Sequence, residues 1–239
     1  MLELRSLRLA ATECFPLQWS ELTQLEVLAL HSARLTSLPQ YSQSLMTLML
    51  TDVSIWDAIP SPMAFPSLTY LSLFGVLGLK PYINAPCLVT FHDGGSSPPE
   101  SFSSPVPSLV EYGVDHWAFD EPDHANWHHS FPNLLRLIIR TGPRVLILFL
   151  RSLSSDPHSL PALQMITAGG PNTSSVLQMI TGGDRNSSFT EEEQVIMKGL
   201  VQVRKEACQM DLILHFETEP LFKIPIFFWK GEQLPIKQL

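Results

Sequence analysis

The chain has 239 residues, 45% of them hydrophobic and 16% charged, with a formal net charge of -8 and a pI near 5.4. That is enough apolar material for a continuous core, while the acidic balance argues against a phosphate-tracking surface and so against a nucleic-acid partner. Cys14, Cys87 and Cys208 are odd in number, widely spaced and without a C-x-x-C pair, which predicts buried free thiols in a reducing, intracellular compartment rather than a disulfide or zinc framework.

Taken from the N-terminus, Met1 is followed by Glu3, Arg5 and Arg8 in an alternating pattern, so no signal peptide is visible. The longest apolar runs, Val145 to Leu150 and Ile224 to Trp229, are too short to span a bilayer, and no membrane partner is expected. From Leu4 onward the dominant signal is a repeat. Apolar clusters open at Leu4, Leu25, Leu45, Leu68, Leu88, Leu109, Leu134 and Leu163, at intervals of 21, 20, 23, 20, 21, 25 and 29 residues. These intervals fit the period of a leucine-rich repeat.

Within a unit the spacing is informative. In "LEVLALHSARL" the residues Leu28 and Leu30 lie two apart, so on a strand both enter the core. "LMTLMLTDVSI" repeats the pattern, with Val53 and Ile55 in its last two slots. Five units carry an apolar-Pro-x-Leu entry: Phe65-Pro66-Ser67-Leu68, Ala85-Pro86-Cys87-Leu88, Val106-Pro107-Ser108-Leu109, Phe131-Pro132-Asn133-Leu134 and Leu160-Pro161-Ala162-Leu163. Proline cannot donate to a ladder and restricts the residue before it, so each marks where a return ends and a strand begins. The expected fold is an α/β leucine-rich-repeat solenoid: a curved parallel sheet with irregular or short-helical returns. An ordinary α/β or all-β domain with evenly spaced strands is the competing reading.

Past Pro143 the period lengthens, and "PRVLILFLRSL" predicts a buried return helix ending near Ser154. "LQMITAGGPNTSSV" and "LQMITGGDRNSSFT", which open at Leu163 and Leu177, align as a local tandem duplication, of which at most one copy belongs in the sheet. Thr190 and Glu193 form a capping box ahead of a helix to about Cys208, and "DLILHF" from Asp211 predicts a last strand. The organisation expected is a solenoid over 1–168, a loop over 169–190, and a C-terminal helix, last strand and capping tail over 191–239.

Irregular apolar-Pro-x-Leu-x-x-Leu-x-Leu units in an acidic, cysteine-poor chain resemble the leucine-rich-repeat region of fungal F-box proteins, over about Leu2 to Ala168. The resemblance implies a substrate-recognition surface built on the repeats. It implies a cullin-type ubiquitin-ligase adaptor as partner only if an F-box helical motif lies upstream, since the first repeat already begins at Leu4. The asparagine usual after the third leucine of many such repeats is replaced here by Thr12, Ala33, Val53 and Val76. A stand-alone repeat scaffold without a ligase link stays open.

Candidate chemistry is sparse. The segment Asp115 to His129 gathers four histidines with Asp115, Asp120, Glu121 and Asp123, and His124 and His128 are four apart, as a metal pair on a helix would require. It lacks the H-E-x-x-H base and holds Pro122, so a polar return loop is the simpler reading, and a metal-dependent enzyme the weaker one. No nucleophile elbow, phosphate-binding loop or dinucleotide fingerprint is present, so no enzymatic activity, cofactor or metal is expected. Alternation instead places Val27, Thr47, Thr90 and Glu111 on the concave side of the sheet, together with the nine residues that are the binding candidates: Arg8, His31, Met49, Tyr70, Phe74, His92, Asp115, Arg136 and Arg140. Met, Tyr and Phe flanked by charge is the chemistry of a protein-binding face, and a protein substrate or ligand is the expected partner.

Overall fold

The computed structural model describes residues 4–10, 14–15, 19–56, 63–77, 83–94, 102, 105–114, 131–140, 149, 153, 160–169 and 213–216. Its strands in chain order are β1 (Ser6–Ala10), β2 (Cys14–Phe15), β3 (Val27–His31), β4 (Arg34–Leu35), β5 (Thr47–Thr51), β6 (Ser54–Ile55) and β7 (Met63–Ala64). They continue as β8 (Tyr70–Phe74), β9 (Ile83–Asn84), β10 (Thr90–Asp93), β11 (Glu111–Val114), β12 (Arg136–Ile139), β13 (Met165–Ala168) and β14 (Ile213–Phe216).

Nine of them form one all-parallel sheet in the order β1-β3-β5-β8-β10-β11-β12-β13-β14, which is chain order with the return strands left out. A parallel neighbour at every step, with no crossover in the order, is the topology of a solenoid. Each of the eight predicted leucine clusters leads into one of these strands, and "DLILHF" supplies the ninth, β14.

The register explains why leucine recurs. Leu7, Leu28, Leu48, Leu71, Phe91, Tyr112, Leu137 and Ile166 are successive partners along one inward row, and from Leu28 onward all are buried. Two residues on, Leu30, Leu50, Leu73, Asp93, Val114 and Ile139 form a second buried row. Each coil thus covers the apolar face of the one before it.

The apolar-Pro-x-Leu entries are β-turns. The amide of Leu68 donates to the carbonyl of Phe65 at 3.1 Å, and the same bond joins Leu88 to Ala85, Leu109 to Val106, Leu134 to Phe131 and Leu163 to Leu160. Proline at the second turn position pre-sets its φ and gives up no needed donor. The first turn residue is buried in all five, Phe65 and Phe131 completely, so each turn is also pinned to the core.

The strand exits are equally regular. Ser32, Asp52 and Gly75 occupy the same coil position and all have positive φ, 49°, 52° and 57°. This left-handed residue turns the chain off the sheet, and Gly75 takes it without a Cβ, which would stand against the Asp52 carboxylate. Behind it, Ala33, Val53 and Val76 are buried.

The returns differ from expectation. Among the described residues helix is limited to a 3-10 turn at Trp19–Glu21 and to Phe149 and Leu153, buried in the segment where a return helix was expected. Elsewhere the described returns are extended: β2-β4-β6 form a second parallel sheet, which a bridge from Ser54 to Leu77 extends, and β7-β9 a third, which bridges from Tyr41 to Ala64 and from Ile83 to Phe102 extend. The described chain is therefore a parallel-sheet β-solenoid, not an alternation of strands and helices. Short coils explain why, because extended chain covers more than twice the distance per residue that helix does, about 3.3 against about 1.5 Å.

Cys87 also departs from expectation. It is an exposed free thiol, because it occupies the third position of the Ala85-Pro86-Cys87-Leu88 turn, whose first and last residues point into the core. The predicted 191–208 helix, the second LQMIT copy, the Asp115–His129 loop, Cys14's side chain and Cys208 lie outside the described residues. Within them, no helix is long and apolar enough to cross a membrane.

Candidate functional site on the outward face of the sheet

Alternation along each strand leaves three outward rows. One runs Val27, Thr47, Tyr70, Thr90, Glu111, Arg136. The middle row runs Arg8, Ala29, Met49, Ser72, His92, Gly113, Ile138. The third includes His31, Thr51 and Phe74, with Arg140 just past the end of β12.

Eight of the nine binding candidates expected on this face are described, and all eight take outward positions: Arg8, His31 and Arg136 exposed, and Met49, Tyr70, Phe74, His92 and Arg140 half-buried. The ninth, Asp115, lies outside the described residues.

The structure draws three of them into one cluster through their outward neighbour on β11, Glu111. The Tyr70 hydroxyl lies 3.5 Å from Nδ1 of His92, and Nε2 of His92 lies 3.3 Å from Oε1 of Glu111. Arg136 closes the chain with a 3.0 Å ion pair to Oε2 of the same carboxylate. A neutral imidazole with its proton on Nε2 satisfies both neighbours, donating to Glu111 and accepting from Tyr70. The rings of Tyr70 and His92 also meet edge to face at 5.6 Å.

The electrostatics follow from this packing. Glu111 is held below the ordinary carboxylate range, chiefly by its hydrogen bond with His92, against the opposing effect of burial, and then by the charges of Arg136 and Arg140. Burial pushes the Tyr70 phenol up, with a hydrogen bond to Ser72 and the charge of Arg140 acting the other way. Tyr70 is thus held neutral, the opposite of an activated phenolate nucleophile.

Space for the histidine comes from a glycine. A Cβ at Gly113 would stand 2.9 Å from Cδ2 of His92, so only glycine at this register position lets the imidazole lie flat toward Glu111. Glu111 falls on this face by the alternation already described, whereas Ser72 and Gly113 were not singled out by residue type. The signal for them was register: each adjoins a recognisable outward residue one strand away.

Two other features bound the chemistry. Among the described residues no group of three His, Cys, Asp or Glu could hold a metal ion. A cleft of about 550 Å³ lies at the strand entries of the second and third coils, lined by Trp19, Leu22, Gln24, Tyr41 and Gln43 among others. No Asp, Glu, His, Lys, Arg or Cys is among its described lining residues. No protein-family model, curated protein or solved structure matches the chain.

Proposed function

We propose that the chain is a non-enzymatic protein-recognition module of leucine-rich-repeat type, which binds its partner across the outward face of the sheet. The observation that carries this reading is the Tyr70–His92–Glu111–Arg136 cluster. Its aromatic and charged side chains are fixed to one another on an open, rigid face. Interfaces draw their energy from Tyr and Arg held in this way, because little side-chain freedom is left to lose on binding.

The repeat spacing and the resemblance to fungal F-box proteins make the finer role that of the substrate-binding region of a ubiquitin-ligase receptor. A stand-alone scaffold is the alternative, and a ligase adaptor co-purifying with the full-length gene product distinguishes the two.

The recognition reading is tested by placing a photo-crosslinking amino acid at Thr47 or Thr90, between the larger outward side chains, and at Arg34 or Ser54 on the return side. The expected result in extracts of the source cells is one defined adduct from the outward positions, abolished by Tyr70→Ala and absent from the return positions. Equal labelling from both sides would refute the reading.

A further inference from the structure

We propose that the cleft at the strand entries of the second and third coils binds a small uncharged molecule made of an aromatic ring that carries amide or hydroxyl groups. None of its described lining residues belongs to the outward rows, so the site is independent of the recognition reading above.

The cleft has its cause in the register. Tyr41 pairs with Ala64 and Ala64 with Asn84, both in parallel. The amides of Ala64, Ser42 and Phe65 donate to the carbonyls of Gln40, Ala64 and Asn84 at 2.9, 3.2 and 2.9 Å. The residues on either side therefore form two rows, one of Gln40, Met63 and Ile83 and one of Ser42, Phe65 and Ala85. Alternation turns both rows to the core, and Met63, Ile83, Phe65 and Ala85 are all buried. The coil of β5 instead has Gln40, which is exposed, and Ser42, which is half-buried. Two core positions thus lack the apolar bulk that fills them in the next coils, and both residues line the cleft.

The lining sets the chemistry of an occupant. A volume of about 550 Å³ falls within the range of small-molecule sites, about 300 to 1,000 Å³. Leu25, Leu28, Leu45 and Pro39, all buried, give it an apolar floor, and the half-buried Leu22 adds to it. Trp19 supplies an aromatic wall, held by a 3.1 Å hydrogen bond from its Nε1 to the carbonyl of Ser37. Gln24, Gln40 and Gln43 contribute amides, and Ser20, Thr23, Tyr41 and Ser42 contribute hydroxyls. Amides and hydroxyls each both donate and accept, so they suit neutral amide or hydroxyl groups on a ligand. A charged ligand would lose hydration here without gaining a counter-charge from the described lining.

The neighbouring coil shows which apolar group these positions accept. Beside Ser42 it places the phenyl ring of Phe65, and beside Gln40 the thioether chain of Met63, both inside the leucine core. A ligand ring at the Ser42 position repeats that packing and meets the Trp19 wall. A sugar carries hydroxyls all round its ring and would have to lay some of them against Leu25, Leu28 and Leu45 without partners.

The test is titration by saturation-transfer NMR with N-acetylphenylalaninamide, which joins a phenyl ring to two neutral amides. Comparators are N-acetylphenylalanine, whose carboxylate is charged at neutral pH, N-acetylalaninamide, which has no ring, and methyl glucoside. N-acetylphenylalaninamide is expected to bind with a dissociation constant of about 1 mM or tighter, with the strongest transfer to its ring protons. Each comparator is expected to bind at least about fivefold more weakly. Ser42→Phe, which restores the residue of the next coil, is expected to weaken binding about tenfold or more without lowering the melting temperature. Gln40→Met is expected to weaken it about threefold or more, again with melting preserved, and decides the matter if Ser42→Phe melts lower.

Methyl glucoside binding as tightly as the aromatic amide would overturn the ligand class in favour of a sugar site. Equal binding of N-acetylphenylalanine would overturn the neutral class. Binding undiminished in both well-folded variants would place the probe elsewhere, and no binding of N-acetylphenylalaninamide at about 20 mM would refute the site outright.

Discussion

The coils carried by β3, β5 and β8 and those carried by β10 and β11 share one register but are filled differently. The first three place leucine at both inward positions: Leu28 and Leu30, Leu48 and Leu50, Leu71 and Leu73. The next two place Phe91 with Asp93 and Tyr112 with Val114 at the same positions. A leucine stack needs only shape from its neighbours, whereas an aromatic and polar core needs orientation. Phe91 stacks on Tyr112 at 5.3 Å and meets Phe102 edge-on at 5.2 Å, and Phe131 extends the cluster to both Phe102 and Tyr112. The outward cluster stands on this oriented part of the core, since Glu111 and Tyr112 are adjacent on β11 and His92 follows Phe91 on β10.

The largest effect that sharpens the contrast is truncation of the aromatic centre. Phe91→Ala should cost about 3–5 kcal/mol in urea unfolding, because it removes a completely packed ring together with two ring contacts. The volume-conserving change Leu48→Met in the leucine region should cost less than about 1.5 kcal/mol. A loss in Leu48→Met as large as that in Phe91→Ala would show that the leucine stack also depends on side-chain orientation.

The buried polar pair comes next. Tyr112 is fully enclosed, its hydroxyl is hydrogen-bonded to Asp93, and burial together with the Asp93 charge pushes its phenol well above the ordinary value. Tyr112→Phe should cost about 1–3 kcal/mol, since it strips a donor from a buried carboxyl group. Adding Asp93→Leu, which restores the residue found at this position in the preceding coils, should recover most of that loss. A double-mutant cycle with no coupling would show that the two groups act independently. The sign of the pH dependence also follows. A phenol whose folded pKa is raised keeps its stabilising contribution below the unfolded value near 10.0 and loses it as pH rises toward the folded one. Wild type should therefore lose stability above about pH 10 more steeply than Tyr112→Phe.

How much of this was legible in the sequence differs in the same way between the two regions. The leucine coils announce themselves, because a repeated apolar side chain at period-2 spacing has one stable placement. Even "LVTFHD" and "LVEYGV" fell into phase through Leu88 and Leu109. What stayed hidden was that Asp93 occupies a leucine position, since its partner lies a full coil away at Tyr112. The proline entries were legible as strand boundaries but not as hydrogen-bonded turns. The described returns, expected to be irregular or short-helical, are mostly extended, and a segment of mixed polarity carries no periodicity strong enough to separate a two-residue strand from a helical turn. On the outward face, residue type drew notice to Tyr70, His92 and Arg136. Their connection through Glu111 depended on a register that only pairing of the strands defines.

The smallest effect concerns the outward cluster and bears on whether its charges reinforce the aromatic coils. Glu111 has a depressed pKa, so its contribution is fully present above the unfolded value near 4.5 and is lost as pH falls through the lower folded value. Its side chain is 16% exposed, but Arg136 is 53% exposed, so solvent screens much of the pair. Wild type should exceed Glu111→Gln by up to about 1 kcal/mol at neutral pH, and the gap should close as the pH is lowered past 4. The exposed Arg5–Glu26 pair in the leucine region, 73% and 40% accessible, gives the contrast. Glu26→Gln should change stability at neutral pH by no more than a few tenths of a kcal/mol. Urea titrations of both variants at several pH values measure the two gaps. A Glu111 gap that stays constant down to pH 3 would assign its effect to packing rather than charge. The network would then hold Tyr70 and His92 in place by shape alone, as the leucines hold the strands beneath them.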